Sequence, residues 1–394
     1  MMRIGVDIRG LLTGKISGVE QYGIQTLKHM LEVDTTNTYV LFYNSYRDLD
    51  EKFEKLIQDY PFFKNHNVEV KKMKWIDFPL LIHAFYKPLD WPKADIVCGG
   101  LDVMFMPSPQ LLPLSRRCAK VTTFHDLIFM IYPQFYTRSS RLWQWQMNYP
   151  YEARTSDTVI AVSKSTKDDL VRLLGADPNK ISVIHEGVGR EYFVSPSSND
   201  LDTARQKFGL PDKFIYYVGS IEPRKNLATV VRALHQLSSD HSDTIKLVIS
   251  GSKNWLSSDL YKLVEELRLQ DKVIFTGPVS EQEKITLLNL ATVFVFPSLY
   301  EGFGLMVLEA FAAGCPVITS NVSSLPEVAG DAAILINPQN VSELIHQLNR
   351  LLEDDNLRQQ LIDKGRERAK GFTWERSARE TLRIIEETAR KHGG

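Results

Sequence analysis

Cysteine is scarce in this chain of 394 residues. The three present, Cys98, Cys118 and Cys315, are odd in number, far apart and without metal-ligand spacing, which argues against a disulfide framework and suits a reducing cytosol. An excess of either charge is also missing, since 47 basic residues face 48 acidic ones. With no global basic field, a nucleic-acid partner is not expected. Long apolar runs are absent as well. No stretch approaches the roughly 18 consecutive apolar residues of a membrane span. Met1 to Ile8 has neither the length nor the cleavage pattern of a signal peptide. The expected location is therefore cytoplasmic, with any membrane contact peripheral, on the inner face. Solenoid-length repeats, low-complexity tracts and the G-x-G-x-x-G and G-x-x-x-x-G-K fingerprints are all missing.

What is present is an ordinary globular composition, 43% hydrophobic and 24% charged. Its length suits about two domains. Short β-branched or aromatic runs alternate with longer amphipathic stretches, the signature of parallel sheets covered by helices. Strands are expected at Arg3–Asp7, Tyr39–Tyr43, Val68–Lys72, Val103–Met106, Val121–Phe124, Val159–Val162 and Ile181–Ile184. A second set is expected at Phe214–Val218, Lys246–Ser250, Val273–Phe275, Val293–Phe296, Val317–Thr319 and Ala333–Ile336. Tyr192 to Asp212, rich in Ser, Asp, Asn and Pro, reads as a linker. Two doubly wound α/β domains follow, residues 1–195 and 205–373. A closing helix (374–394) has no further strand to cover and is expected to cross back onto the first domain.

The densest information lies in FVFPSLYEGFGLMVLEAFAAGCP, Phe294 to Pro316. An apolar strand runs into a turn holding Glu301, Gly302, Phe303 and Gly304, then a helix from Leu305 to Ala313, which is a phosphate-binding layout. The helix is almost wholly apolar except for Glu309, where an unpartnered carboxylate would cost several kcal/mol. Its partner is either a pair of ribose hydroxyls from a nucleotide lying across the turn or a buried Arg or Lys. The glycines let backbone approach a ligand, and the helix N-terminus near Gly304 to Met306 suits a diphosphate. Arg224 and Lys225 occupy another strand-to-helix loop, as diphosphate ligands or as a solvated pair leading a helix. His125 ends an apolar strand, so it too lies at a carboxyl edge, as a catalyst or as a packed residue. A cleft between the two sheets would turn it toward Glu301 and Lys225. The loop Gly10 to Gly23 could wrap a phosphate. Asp48-Leu49-Asp50, a D-x-D, looks like first-turn acid placement rather than a metal site. Lys71 to Lys93 and Arg138 to Tyr151 mix basic and aromatic residues, as a membrane-facing surface or as a helical cover.

These segments together resemble the retaining glycosyltransferases of family four, which have the two-domain GT-B fold. The most specific element is Glu-x7-Glu, here Glu301 and Glu309, followed by Ser324-Leu325-Pro326-Glu327-Val328 and Gly330-Asp331-Ala332-Ala333. The resemblance implies two Rossmann-like domains facing across a cleft and hexose transfer from GDP-mannose or UDP-glucose. A saccharide or lipid-linked saccharide would be the acceptor, with retention of configuration and with neither metal nor cofactor. It further implies that Glu301 contacts the donor sugar, that Gly302, Phe303, Gly304 and Leu305 bind sugar and diphosphate, and that Glu309 holds ribose. Lys225 would grip the diphosphate, and His125 would lie near the anomeric carbon with Asp126 beside it. Gly18 would belong to the phosphate-side loop, and Val279 to the segment that reads the base. One departure is Gly219-Ser220, where many members have Gly-Arg; Ser220 removes a cation that Arg224 would replace. An epimerase or hydrolase, or a carbohydrate-binding protein without catalysis, is the alternative.

Overall fold

A computed structural model of the protein describes residues 1–13, 17–44, 50–73, 91–237, 245–253 and 258–393. The chain forms two compact units, one of Met1–Glu186 with Trp374–Gly394 and the other of Gly187–Thr373. Among the described residues the first holds seven strands: β1 (Arg3–Asp7), β2 (Thr38–Asn44), β3 (Val68–Met73), β4 (Val103–Met106), β5 (Ala119–Phe124), β6 (Thr158–Ala161) and β7 (Ile181–Val183). All pair in parallel, in the order β3-β2-β1-β4-β5-β6-β7. The second holds β8 (Phe214–Val218), β9 (Lys246–Ser250), β10 (Val273–Gly277), β11 (Val293–Phe296), β12 (Val317–Ser320) and β13 (Ile334–Ile336), again parallel, in the order β10-β9-β8-β11-β12-β13.

Strands covered on both faces by helices read as unbroken apolar runs rather than alternations. β11 is the plainest case, with Val293, Phe294, Val295 and Phe296 all buried. Chain order reverses between β1 and β4 in one sheet and between β8 and β11 in the other. The loops at the carboxyl ends of those strand pairs are where open α/β sheets bind ligands.

Six helices matter below: α1 (Gly18–Val33), α2 (Ser198–Phe208), α3 (Glu281–Leu290), α4 (Leu305–Ala313), α5 (Asp355–Ala369) and α6 (Trp374–Gly393). The stretch expected to be a linker, Tyr192–Asp212, is instead part of the second unit. Ser197 and Asp200 cap α2 reciprocally, and Gly209 closes it at φ +60°. Its polar composition reflects a helix with a mostly exposed surface, not a lack of structure. α6 packs on the first unit, as its position in the sequence suggested. Trp374 meets Tyr22 of α1 ring to ring at 6.1 Å, Thr388 pairs with Thr158 at 2.8 Å, and Asn37 donates to Glu386 at 3.0 Å.

Candidate active site

At the reversal in the second sheet, the loop after β8 carries Arg224 and Lys225, and the loop after β11 carries Glu301. Two segments remote in sequence thereby meet at one sheet edge. Lys225 Nζ lies 2.6 Å from Glu301 Oε1, and Arg224 Nη1 lies 2.7 Å from Oε2. Arg224 also reaches Glu222 at 2.8 Å and the Tyr300 carbonyl at 3.3 Å. The Lys225 ammonium stands 4.9 Å from the centre of the Phe296 ring. The Glu301 backbone is fixed too. Its N–H donates to Ser323 Oγ at 3.0 Å, and its carbonyl accepts from Ser324 Oγ at 2.9 Å.

Burial pushes the Glu301 carboxyl up, but Arg224 and Lys225 outweigh it and bring the pKa down to about 2. Lys225 is itself pushed down by burial and by Arg224, with Glu301 pulling the other way. The outcome is a carboxylate that stays ionised at working pH, clamped by two cations. Ser220 is on the same loop, where its carbonyl accepts from Tyr217 Oη at 3.1 Å. The second cation of this cluster is therefore Arg224, not a side chain at position 220.

Gly304 begins α4 at φ +115°, and a Cβ there would lie 2.8 Å from Leu325 Cδ2. Only glycine suits that turn. Ser324 Oγ donates to the Phe303 carbonyl at 2.6 Å, tying the Gly302-Phe303-Gly304 turn to the next loop. The amides that open α4 at Leu305 have no partner within the helix and mark its positive end.

Glu309 is buried in α4, as its apolar neighbours implied, but a cation attends it. Lys284 of α3 places Nζ 2.9 Å from Glu309 Oε2 and 3.1 Å from Glu281 Oε2. Of the two partners expected for this carboxylate, ribose hydroxyls or a buried Arg or Lys, the protein supplies a lysine. The pairing is oblique: the ammonium lies close to Oε2 but off the line of a straight hydrogen bond, which leaves that oxygen acceptor capacity. Burial raises the Glu309 carboxyl, and Lys284 draws it back. Val279, in the loop from β10 to α3, is half-buried.

In the first unit, a cavity of about 290 Å³ opens at the reversal between β1 and β4, with Asp7, Gln110, His125, Asp126, Tyr136 and Gln144 in its wall. His125 Nε2 lies 2.8 Å from the Pro107 carbonyl, which only accepts, so that nitrogen carries hydrogen. Nδ1 lies 3.5 Å from Glu186 Oε1. Burial lowers the His125 pKa, but Glu186 and the Pro107 carbonyl more than reverse this. Asp126 Oδ1 accepts from the Ile128 N–H at 3.2 Å. Gly18 is the first residue of α1, following Ser17, whose N–H donates to Glu20 at 2.8 Å.

Lys284, Tyr192, Glu186 and Ser323 were not anticipated, and Ser324 stood only as part of a motif. Lys284 alone left a trace: it sits in the first turns of a helix capped at Ser280, where the dipole disfavours a cation. Asp48 and Leu49 of the D-x-D lie outside the described residues, as do residues 74–90 of the basic aromatic segment and the side chains of Trp143 and Trp145. Among the described residues no helix is long and apolar enough to cross a membrane, and no group of three or more His, Cys, Asp or Glu is placed to hold a metal ion.

Residues 200–368 match the family description "Glycosyl transferases group 1", and residues 16–192 match "Glycosyltransferase Family 4". An O-antigen chain mannosyltransferase B of Escherichia coli is 30% identical over 305 residues, covering 77% of this chain and 79% of the relative. The chain belongs to glycosyltransferase family 4. A serotype-specific mannosyltransferase of E. coli, WbdA, is 30% identical over 261 residues, which is 66% of this chain but 32% of that longer protein. The crystal structure of Anabaena HepE in complex with UDP and glucose superposes with a TM-score of 0.73 over 98% of this chain and 100% of its own, at 17% identity. The fold is thus GT-B, and the protein is an enzyme, a hexosyltransferase. Neither the epimerase or hydrolase alternative nor the non-catalytic one is favoured by these relatives.

Proposed function

We propose that the chain transfers a hexose from a nucleoside diphosphate sugar to a hydroxyl of a saccharide or lipid-linked saccharide, with retention of configuration and without a metal ion. Mannose is the first candidate, because two similar relatives are named mannosyltransferases, one of them of an O-antigen chain. GDP-mannose is then the leading donor. UDP-glucose is the second, since HepE is described with UDP and glucose. In this reading the enzyme works in the cytoplasm, in peripheral contact with the inner membrane face.

The carrying observation is Glu301 clamped by Arg224 and Lys225 at the sheet reversal beside the start of α4. Held ionised, Glu301 accepts hydrogen bonds but has no proton to give, which suits orienting sugar hydroxyls. Two short ion pairs also blunt it as a nucleophile, consistent with front-face attack in which the leaving phosphate takes the acceptor's proton. Arg224, Lys225 and the α4 amides would stabilise charge growing on the diphosphate, so the reading needs no metal. Gly302, Phe303, Gly304 and Leu305 would line that diphosphate, Ser220 would flank it, Glu309 would hold the ribose and Val279 the base. On the first unit, His125, Asp126 and Gly18 would serve the transferred sugar and the phosphate side.

Replacing Glu301 by Ala should lower kcat/KM by about two to three orders of magnitude while the circular dichroism spectrum is kept. Assays run in EDTA should match those without it, and a thermal-shift panel of guanosine and uridine diphosphates should show one clear stabiliser. Unchanged turnover in Glu301→Ala, or activity lost to EDTA and restored by a divalent ion, would sink the corresponding part of the proposal.

A further inference from the structure

Between α3 and α4 the buried Lys284 and Glu309 form a cluster, with Glu281 at its exposed edge, that transfer chemistry leaves unexplained. Lys284 bridges Glu309 and Glu281 at 2.9 and 3.1 Å, with side-chain exposures of 12% for Lys284 and 6% for Glu309. The buried Tyr192 donates from its hydroxyl to Glu281, and its ring centre lies 5.2 Å from the ammonium. Tyr216 of β8 also senses the charge of Glu309. A purely structural ion pair gains most by closing with a straight hydrogen bond. Here the ammonium lies close but oblique, and Glu309 Oε2 keeps unspent acceptor capacity inside the protein.

We propose that Lys284 is a positioning residue for the nucleotide's pentose: its charge presents Glu309 as a carboxylate, with an oxygen left over for a sugar hydroxyl, and so selects ribonucleotides over 2′-deoxyribonucleotides. This rests on the assignment of Glu309 to ribose made above. A carboxylate accepts from both vicinal hydroxyls, whereas a carboxylic acid offers a proton and accepts less. Without Lys284, burial would favour the protonated form at neutral pH. Glu281 and Tyr192 keep the ammonium from turning away.

The test titrates UDP and GDP, and their 2′-deoxy counterparts, into wild type, Lys284→Met and Lys284→Arg by calorimetry from pH 6 to 9, alongside donor KM and kcat. Wild type should prefer the ribonucleotide about tenfold, the scale of a hydrogen bond to a charged group. Lys284→Met should lose that preference at pH 7 and regain it as pH rises, with KM increased and kcat little changed, and Lys284→Arg should retain it. If Lys284→Met does not fold, Lys284→Gln carries the same expectation. A neutral variant that keeps the wild-type preference and a flat pH profile overturns the proposal while leaving the ribose assignment intact. Wild type that binds both sugars equally removes that assignment, and the role of Lys284 with it.

Discussion

Glu301 owes its charge to Arg224 and Lys225, and that debt has a pH signature. Its carboxyl falls from an ordinary 4.5 to about 2 in the folded protein. A depressed acid contributes stability that is present above its unfolded value and is lost as pH falls through the folded one, here between about 4.5 and 2. The difference corresponds to roughly 3 kcal/mol. Glu301→Gln should therefore be less stable than wild type at pH 7, with the gap narrowing steadily below pH 4.5 in urea titrations. A gap that stays constant down to pH 2.5 would contradict this account of the cluster. Arg224, Lys225 and Glu301 were legible in the sequence because each follows an apolar strand directly, so each had to lie at a carboxyl edge. The partner of Glu309 was not. Lys284 reaches it by packing α3 against α4, and no spacing in the chain encodes that contact.

Among the elements, the start of α4 is the most tightly specified. Gly304 combines φ +115° with a Leu325 methyl that would sit 2.8 Å from any Cβ. Gly304→Ala should cost about 1–3 kcal/mol, lower the melting temperature of the second unit by several degrees and weaken diphosphate binding; calorimetry with and without nucleotide reads all three. All thirteen strands among the described residues were legible, within a residue or two at their ends. Strands buried on both faces must be apolar throughout, and few alternatives give short β-branched runs at that spacing. α2 escaped notice for the opposite reason. It buries little beyond Ala204, so its sequence carries caps but almost no apolar stripe.

At the scale of the whole chain, α6 completes the first unit. Trp374, Ala378, Ile385 and Thr381 are buried along its inner face. Ending the chain at Thr373 should expose that face on α1 and the first sheet, lowering protection of unit 1 amides in hydrogen exchange while those of unit 2 keep their wild-type rates. Equal loss in both units would show that the second depends on α6 as well. That α6 lies apart from the second unit was legible because it comes after that unit's last strand and the helices that cover it.

The chain leaves the first unit at Glu186 and re-enters it at Trp374, and the two ends of the intervening segment touch: Val188 N–H donates to the Phe372 carbonyl at 3.0 Å. The second unit is thus a guest inserted into its host through paired ends. During synthesis the guest has all its strands once Thr373 has emerged, whereas the host, though begun first, must wait with α1 uncovered until the remaining helix is made. A ribosome-stalled chain ending near 373 plus the tunnel length would show a protease-resistant guest beside a host still open to cleavage.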